Sequence, residues 1–353
     1  GRYSSLTVFG LVPAALIGLD VEDILKRARH MSERCGGSVP ERENPGLVLG
    51  AALAEFTLAK RDKITFLCSP SLAAFPAWIE QLIAESTGKD RKGIVPVAGE
   101  KLGAPEKYGA DRAFVYLRYE SDENHELDRQ VAGLEANGHP VLRIEMLEKT
   151  DLAQEFFRWE VAIAAAGSAL GIHPFNQPDV QLAKDLATKA MREARTGNRR
   201  RAKLKEEVSA SDGAAMQQAA SSWTSKAKPR DYVSVQAYIS PTPEHDAALQ
   251  SISEALRNRL GAAVTVGYGP RFLHSTGQLH KGGPNTVLVL QIVDQPTDDV
   301  PVPETDYTFG ALIEAQALGD FTALKQRRRR ALRVNLGNDT KAGLECLGEV
   351  LRS

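Results

Sequence analysis

Glu85, Lys184, His274 and Arg2 are the side chains of this sequence whose types and settings suit proton transfer and charge stabilisation. His274 lies in a glycine-rich excursion, residues 267–285, that also carries Arg271, Ser275, Thr276, Gln278, His280 and Lys281. Histidine is the side chain best suited to accept and donate a proton near neutral pH, and functional groups are often carried on loops held by rigid neighbours. The excursion matches no P-loop spacing, and His274 and His280 lack metal-ligand partners at a known spacing. A glycine-rich hairpin with incidental polar residues remains the structural alternative. Glu85 sits at a helix end before Gly88, framed by Trp78 and Ile94, where partial desolvation would tune a carboxylate as a general base. An ordinary surface glutamate is the other reading. Lys184 falls in the first turns of a helix delivered by the two-proline turn at 171–179, with Pro178 in its first turn and Asn176 as its cap. That turn either positions an amine or merely joins two helices. Arg2 could bind an anion, as any exposed terminal arginine could.

The elements that must position these groups alternate between short apolar strands and helices. Strands are expected at 63–68, 93–97, 112–118 and 140–144, with helices at 21–34, 45–60, 73–84, 125–136 and 152–170. Such alternation argues for a parallel sheet covered by helices on both faces, with ligands at the carboxyl ends of the strands. The apolar opening, residues 6–20, implies burial against another element. From 185 to 207 the pattern stays helical but turns basic, through Arg192, Arg195, Arg199, Arg200, Arg201 and Lys203. Residues 209–228, rich in Ala, Ser and Gln, read as a flexible linker or a surface excursion. A change of domain is expected there, giving a first domain at 1–190, a basic helix and linker at 191–230, and a second domain at 231–353. In the last part, strand, helix, strand, strand, helix, strand is the split pattern of a ferredoxin-like α+β sandwich. No repeat is evident between the halves.

With 353 residues, 42 % of them hydrophobic and 25 % charged, the chain has room for two or three cores. A net charge of -1 gives no general electrostatic case for nucleic acid, and the basic runs lack interleaved aromatics. Cys35, Cys68 and Cys346 lie far apart and read as reduced thiols of a cytoplasmic protein. No charge-free apolar stretch reaches about 18 residues, so no membrane span is expected. Gly1-Arg2-Tyr3-Ser4 is neither an ordinary start nor a signal peptide, and a fragment of something longer is expected.

Together these segments resemble the phosphoglucose isomerase family. Phe175-Asn176-Gln177-Pro178-Asp179-Val180-Gln181-Leu182-Ala183-Lys184 is similar to its lysine signature, departing at Asp179, where Gly is usual, and at Gln181, where Glu is usual. Gly1-Arg2-Tyr3-Ser4 resembles the tail of its other signature. Glu85-Ser86-Thr87-Gly88-Lys89-Asp90 resembles the segment that opens with the catalytic glutamate, and His274-Ser275-Thr276-Gly277-Gln278 the bacterial histidine segment. That histidine segment ordinarily precedes the lysine signature. Its position after Lys184 resembles the isomerase half of bacterial bifunctional transaldolase/phosphoglucose isomerase proteins.

The resemblance implies a sugar-isomerase (SIS) type α/β fold and interconversion of glucose 6-phosphate and fructose 6-phosphate without cofactor or metal. Glu85, His274, Lys184 and Arg2 would be catalytic, and Gln278, Ser275, Lys281 and Arg271 would bind substrate. It further implies an upstream SIS domain holding the substrate phosphate, a fused transaldolase, and a homo-oligomer. An isomerase of another phosphosugar, a non-catalytic sugar-phosphate-binding module and a structural domain are the competing readings.

Overall fold

The computed structural model describes residues 1–195, 207–295 and 298–353, which fall into two units. The first comprises Gly1–Glu106 and Ala110–Gln177, the second Lys107–Gly109 and Pro178–Ser353. Each is an α/β unit with a parallel sheet flanked by helices.

In the first unit, helices α1 (Val8–Leu16), α2 (Val21–Arg34) and α3 (Pro45–Leu58) precede strand β1 (Lys63–Cys68). Each helix has a side-chain cap: Thr7 accepts from Phe9 N–H, Asp20 from Asp23 N–H, and Asn44 from Gly46 and Leu47 N–H. Helix α4 (Phe75–Thr87), β2 (Val95–Val97), β3 (Arg112–Tyr119), α5 (His125–Ala136), β4 (Val141–Met146) and α6 (Leu152–Leu170) follow. Val8, Phe9, Val12 and Leu16 of α1 are exposed. All pairings are parallel in the order β2-β1-β3-β4. Leu53, Ile64, Ile79, Leu82, Val115, Trp159 and Ile163 belong to one core beside this sheet. Helices α3 and α6 approach so closely that a Cβ at Gly50 would lie 2.4 Å from the Ala162 carbonyl oxygen.

The second unit holds α7 (Val180–Arg195), β5 (Glu207–Ser209), α8 (Gly213–Thr224), β6 (Tyr232–Tyr238), α9 (Pro243–Leu260) and β7 (Ala263–Tyr268). Then come α10 (Gly277–Gly282), β8 (Val287–Val293), α11 (Phe309–Gln326), β9 (Arg330–Asn335) and α12 (Thr340–Arg352). The sheet runs β5-β9-β8-β6-β7, parallel throughout. The ferredoxin-like sandwich is therefore not formed, since its split pattern requires antiparallel neighbours. Every residue of β6 and β8 is buried, so each strand needs cover on both faces, which crossover helices supply. Val233, Val235, Leu288 and Leu290 share a core with Trp223 of α8, Leu256 of α9 and Leu347 of α12. The alternate positions, Tyr232, Ser234, Gln236 and Gln291, give the other face its buried polar groups.

Two further expectations change. Residues 213–224 are not linker but helix, N-capped by Asp212, because Met216, Ala220 and Trp223 recur at helical spacing and are buried. The units divide between Gln177 and Pro178, upstream of the expected boundary, because α7 packs on α11. Arg199, Arg200, Arg201 and Lys203 lie outside the described residues. The two sheets share a winding: β2-β1-β3-β4 in one, β7-β6-β8-β9 in the other. Among the described residues, no helix is long and apolar enough to cross a membrane.

Candidate active-site groups

Helix α4 extends past its expected end at 84, since Thr87 Oγ1 donates to Ile83 O at 2.8 Å and Gly88 N–H to Ala84 O at 3.0 Å. Glu85 is thereby held in the last helical turn. Arg2 Nε stands 3.0 Å from Glu85 Oε2, with the two side chains 9 % and 10 % exposed. Arg2 also donates to Ser86 Oγ at 3.1 Å, to Pro174 O at 2.8 Å and to Gln177 Oε1. Burial pushes the Glu85 carboxyl above its ordinary range, against the opposing pull of Arg2 and a hydrogen bond from Gln81. Tyr3 donates to Ser86 Oγ at 3.2 Å and packs its ring 5.1 Å from that of Phe175.

Lys89 fastens the turn to this group. Its buried ammonium donates to His173 O at 2.7 Å, to Asn176 O, and to Asn176 Oδ1 at 2.9 Å. Asn176 is thus not a helix cap: its side chain receives Lys89, and α7 starts only at Val180. Lys92 Nζ reaches Leu170 O at 2.8 Å. The three segments 1–3, 85–92 and 171–177 meet where α4 ends and β2 begins, beside the Val95 N–H to Asp62 O bond at the amino end of β1. That is the opposite end of the sheet from the one expected for a ligand.

Two side chains escaped the sequence reading. Lys89 was visible only as part of a motif, without a role. Glu160 interrupts the apolar run of α6; burial pushes its carboxyl up to about 7, and its Oε1 has no hydrogen-bond partner among the described residues. It also raises the Tyr3 hydroxyl through its charge, secondary to burial.

The remaining candidates belong to the second unit. His274 is exposed at the end of a 3₁₀ turn, Arg271–His274, and Ser275 Oγ donates to Phe272 O at 3.3 Å. Arg271 and Lys184 are also exposed. Gln278 and Lys281, expected as substrate ligands, are buried and engaged with other side chains. Gln278 accepts from Asp179 N–H at 2.8 Å and donates to Asp179 Oδ2 at 2.9 Å, while Lys281 Nζ pairs with Asp320 Oδ1 at 2.6 Å. These contacts anchor α10. His280 is fully enclosed between Tyr232 Oη and Ser234 Oγ, each at 3.0 Å, and burial lowers its pKa to about 3. The basic run is likewise engaged: Arg327 pairs with Asp179 at 2.5 Å, Arg330 pairs with Asp231, and Arg329 donates to the Lys281 and Gly283 carbonyls at 2.6 and 2.8 Å.

Among the described residues, no cluster of His, Cys, Asp and Glu could hold a metal ion. The arrangement around Glu85 can do other chemistry. A desolvated carboxylate can take a proton from carbon, and an adjacent guanidinium can stabilise the oxyanion that results.

No protein-family model matches the chain. It is 28 % identical over 222 residues to the glucose-6-phosphate isomerase of Parabacteroides distasonis, covering 52 % of this chain and 49 % of that protein. To the probable glucose-6-phosphate isomerase of Natronomonas pharaonis it is 32 % identical over 223 residues, 53 % and 51 % of the two chains. The Methanocaldococcus jannaschii glucose-6-phosphate isomerase is 27 % identical over 230 residues, with 55 % and 56 % covered. The similarity is distant but consistent, and the chain spans about half the length of the curated relatives it matches. A hypothetical protein from Thermus thermophilus aligns over 99 % of this chain and 92 % of its own at 14 % identity, with a TM-score of 0.31, too low to carry an argument.

Proposed function

We propose that this chain supplies the proton-transfer centre of a phosphosugar isomerase of SIS type, acting on glucose 6-phosphate and fructose 6-phosphate. The observation that carries the reading is the buried Arg2–Glu85 pair gathered with the 171–177 turn. Support also comes from the relatives, whose names give the substrate. On the open-chain aldose, the Glu85 carboxylate takes the proton from C2, and the electrons move through C1 onto the carbonyl oxygen. Arg2 then faces that oxygen and stabilises its charge, without the reorganisation that water would need. Glu85 returns the proton to C1 while the O2 hydroxyl proton passes to O1, giving the ketose. One carboxylate serves both carbons because they are adjacent. His274, helped by Lys184, moves the protons that open the sugar ring. The further reading, the isomerase half of a transaldolase fusion, rests on the position of the 274–278 segment after Lys184.

A coupled assay of fructose 6-phosphate isomerisation by the 353-residue chain tests the proposal. Turnover supports the reading. Binding of the sugar phosphate without turnover would favour a non-catalytic module, and turnover of a different phosphosugar would change the substrate but keep the chemistry.

A further inference from the structure

In the second unit, the carboxyl ends of β6, β7 and β8 surround a cavity of about 600 Å³, large enough for a small organic ligand. Strand β6 lies between β7 and β8, so the connections leaving β6 and β8 depart in opposite directions. Crevices between such diverging connections are where open parallel sheets bind ligands.

The polar groups of this crevice are already oriented. Asp246 Oδ1 accepts from the Tyr268 hydroxyl at 2.6 Å, and Asp294 Oδ2 accepts from the Thr340 hydroxyl at 2.9 Å. A carboxylate offers about four acceptor positions, so Asp246, and Asp294 with its own backbone N–H as a second donor, are held in place with capacity left. Glu314, also in the wall, pairs with Arg333 at 2.8 Å, a cation it shares with Glu207. Among the described residues lining the cavity, Arg271 is the cation that an anion would meet. The start of α11 offers little to an anion, because Gly310 N–H donates to Asp299 Oδ1 at 2.8 Å and Ala311 N–H to Thr308 Oγ1 at 3.2 Å. Gly269 lets the loop carrying Arg271 close down: a Cβ there would lie 2.4 Å from the Tyr238 ring. Tyr268 and Pro241 add apolar surface.

We infer that this cavity is a binding site for a small polyhydroxylated molecule bearing one anionic group. Its hydroxyls meet Asp246 and Asp294, its ring lies against Tyr268 and Pro241, and its anion meets Arg271. A monosaccharide phosphate and a nucleoside monophosphate share this chemistry. Arg271 shares its 3₁₀ turn with His274 of the isomerase reading, whereas the Arg2–Glu85 pair of that reading belongs to the first unit.

Hydrogen–deuterium exchange of the full chain tests it, with glucose 6-phosphate, adenosine monophosphate and inorganic phosphate as separate probes. The expected result is exchange slowed at least ~10-fold in segments 239–246 and 268–271 by one of the two organic phosphates and not by inorganic phosphate. Which of them protects tells a sugar phosphate from a nucleotide. Asp246→Asn and Arg271→Gln, checked by thermal unfolding for retained fold, should each abolish that protection. Equal protection by inorganic phosphate alone, protection unaffected by both substitutions, or no protection in these segments would overturn the inference. Protection confined to 85–92 and 171–177 would overturn it while supporting the isomerase centre.

Discussion

Arg2 and Glu85, with helices α1 to α3 and strand β1 between them in the chain, form a buried ion pair at 3.0 Å. Burial outweighs the guanidinium in its effect on the carboxyl, which stays above the ordinary range. A carboxyl so tuned is a stronger base toward carbon than a solvated one when ionised, and it must be ionised to act.

The rate of isomerisation should therefore fall on the acid side through the raised value of Glu85, at a higher pH than an ordinary carboxylate would give. Glu85→Gln should lower turnover by ~10²–10⁴. Gln keeps the size of the side chain and its hydrogen-bonding capacity, so the fold should be retained. A retained melting temperature with lost exchange of the C2 proton is the expected result; undiminished exchange would remove Glu85 from the mechanism.

Lys89 is expected to order the 171–177 turn. Lys89→Met deletes its bonds to His173 and Asn176 and should weaken the turn by roughly 2 kcal/mol. Amide exchange at 172–177 would then accelerate by ~30-fold. Unchanged exchange would show that the contacts of Arg2 and Tyr3 hold the turn without it.

His280 ties stability of the second unit to pH. Its folded value of about 3 lies below the ordinary 6.5, so the unfolded chain takes up a proton that the folded unit refuses. Its contribution is intact above about pH 6.5 and is lost progressively as pH falls toward 3, at up to ~1.4 kcal/mol per unit. Denaturant titrations across that window should show this slope in the parent and a flatter one in His280→Gln.

Lys281 and Asp320 form a buried pair at 2.6 Å. Lys281→Met alone should cost ~3–5 kcal/mol, because it strands a buried carboxylate. The double variant Lys281→Met/Asp320→Leu should recover most of that loss. A double variant no better than the single one would show that the pair's neighbours, not its charges, dominate.

Much of the first unit was legible in its sequence. The bounds expected for β1, α5 and α6 coincide with those observed, since capped helices and short apolar strands are local patterns. The second unit was less so. Strands β6 to β9 were read nearly in place, while β5 fell at the join of the expected basic helix and linker, and the pairing was taken as split and antiparallel. Whether neighbouring strands run parallel depends on where the connecting helices pack, and the Ala- and Ser-rich composition of α8 concealed one of those helices as a linker.

For the candidate site, residue types and motifs in the sequence pointed to Arg2, Glu85 and the 171–177 turn. Tertiary structure alone decided that these three meet at the amino end of the first sheet, that Lys89 clamps the turn, and that Gln278, His280 and Lys281 are sealed inside the second unit. The reason is physical. Helix caps, periodicity and turns are set by residues a few positions apart, whereas burial and the pairing of charges depend on contacts between segments up to about 175 positions apart, as between Arg2 and Gln177.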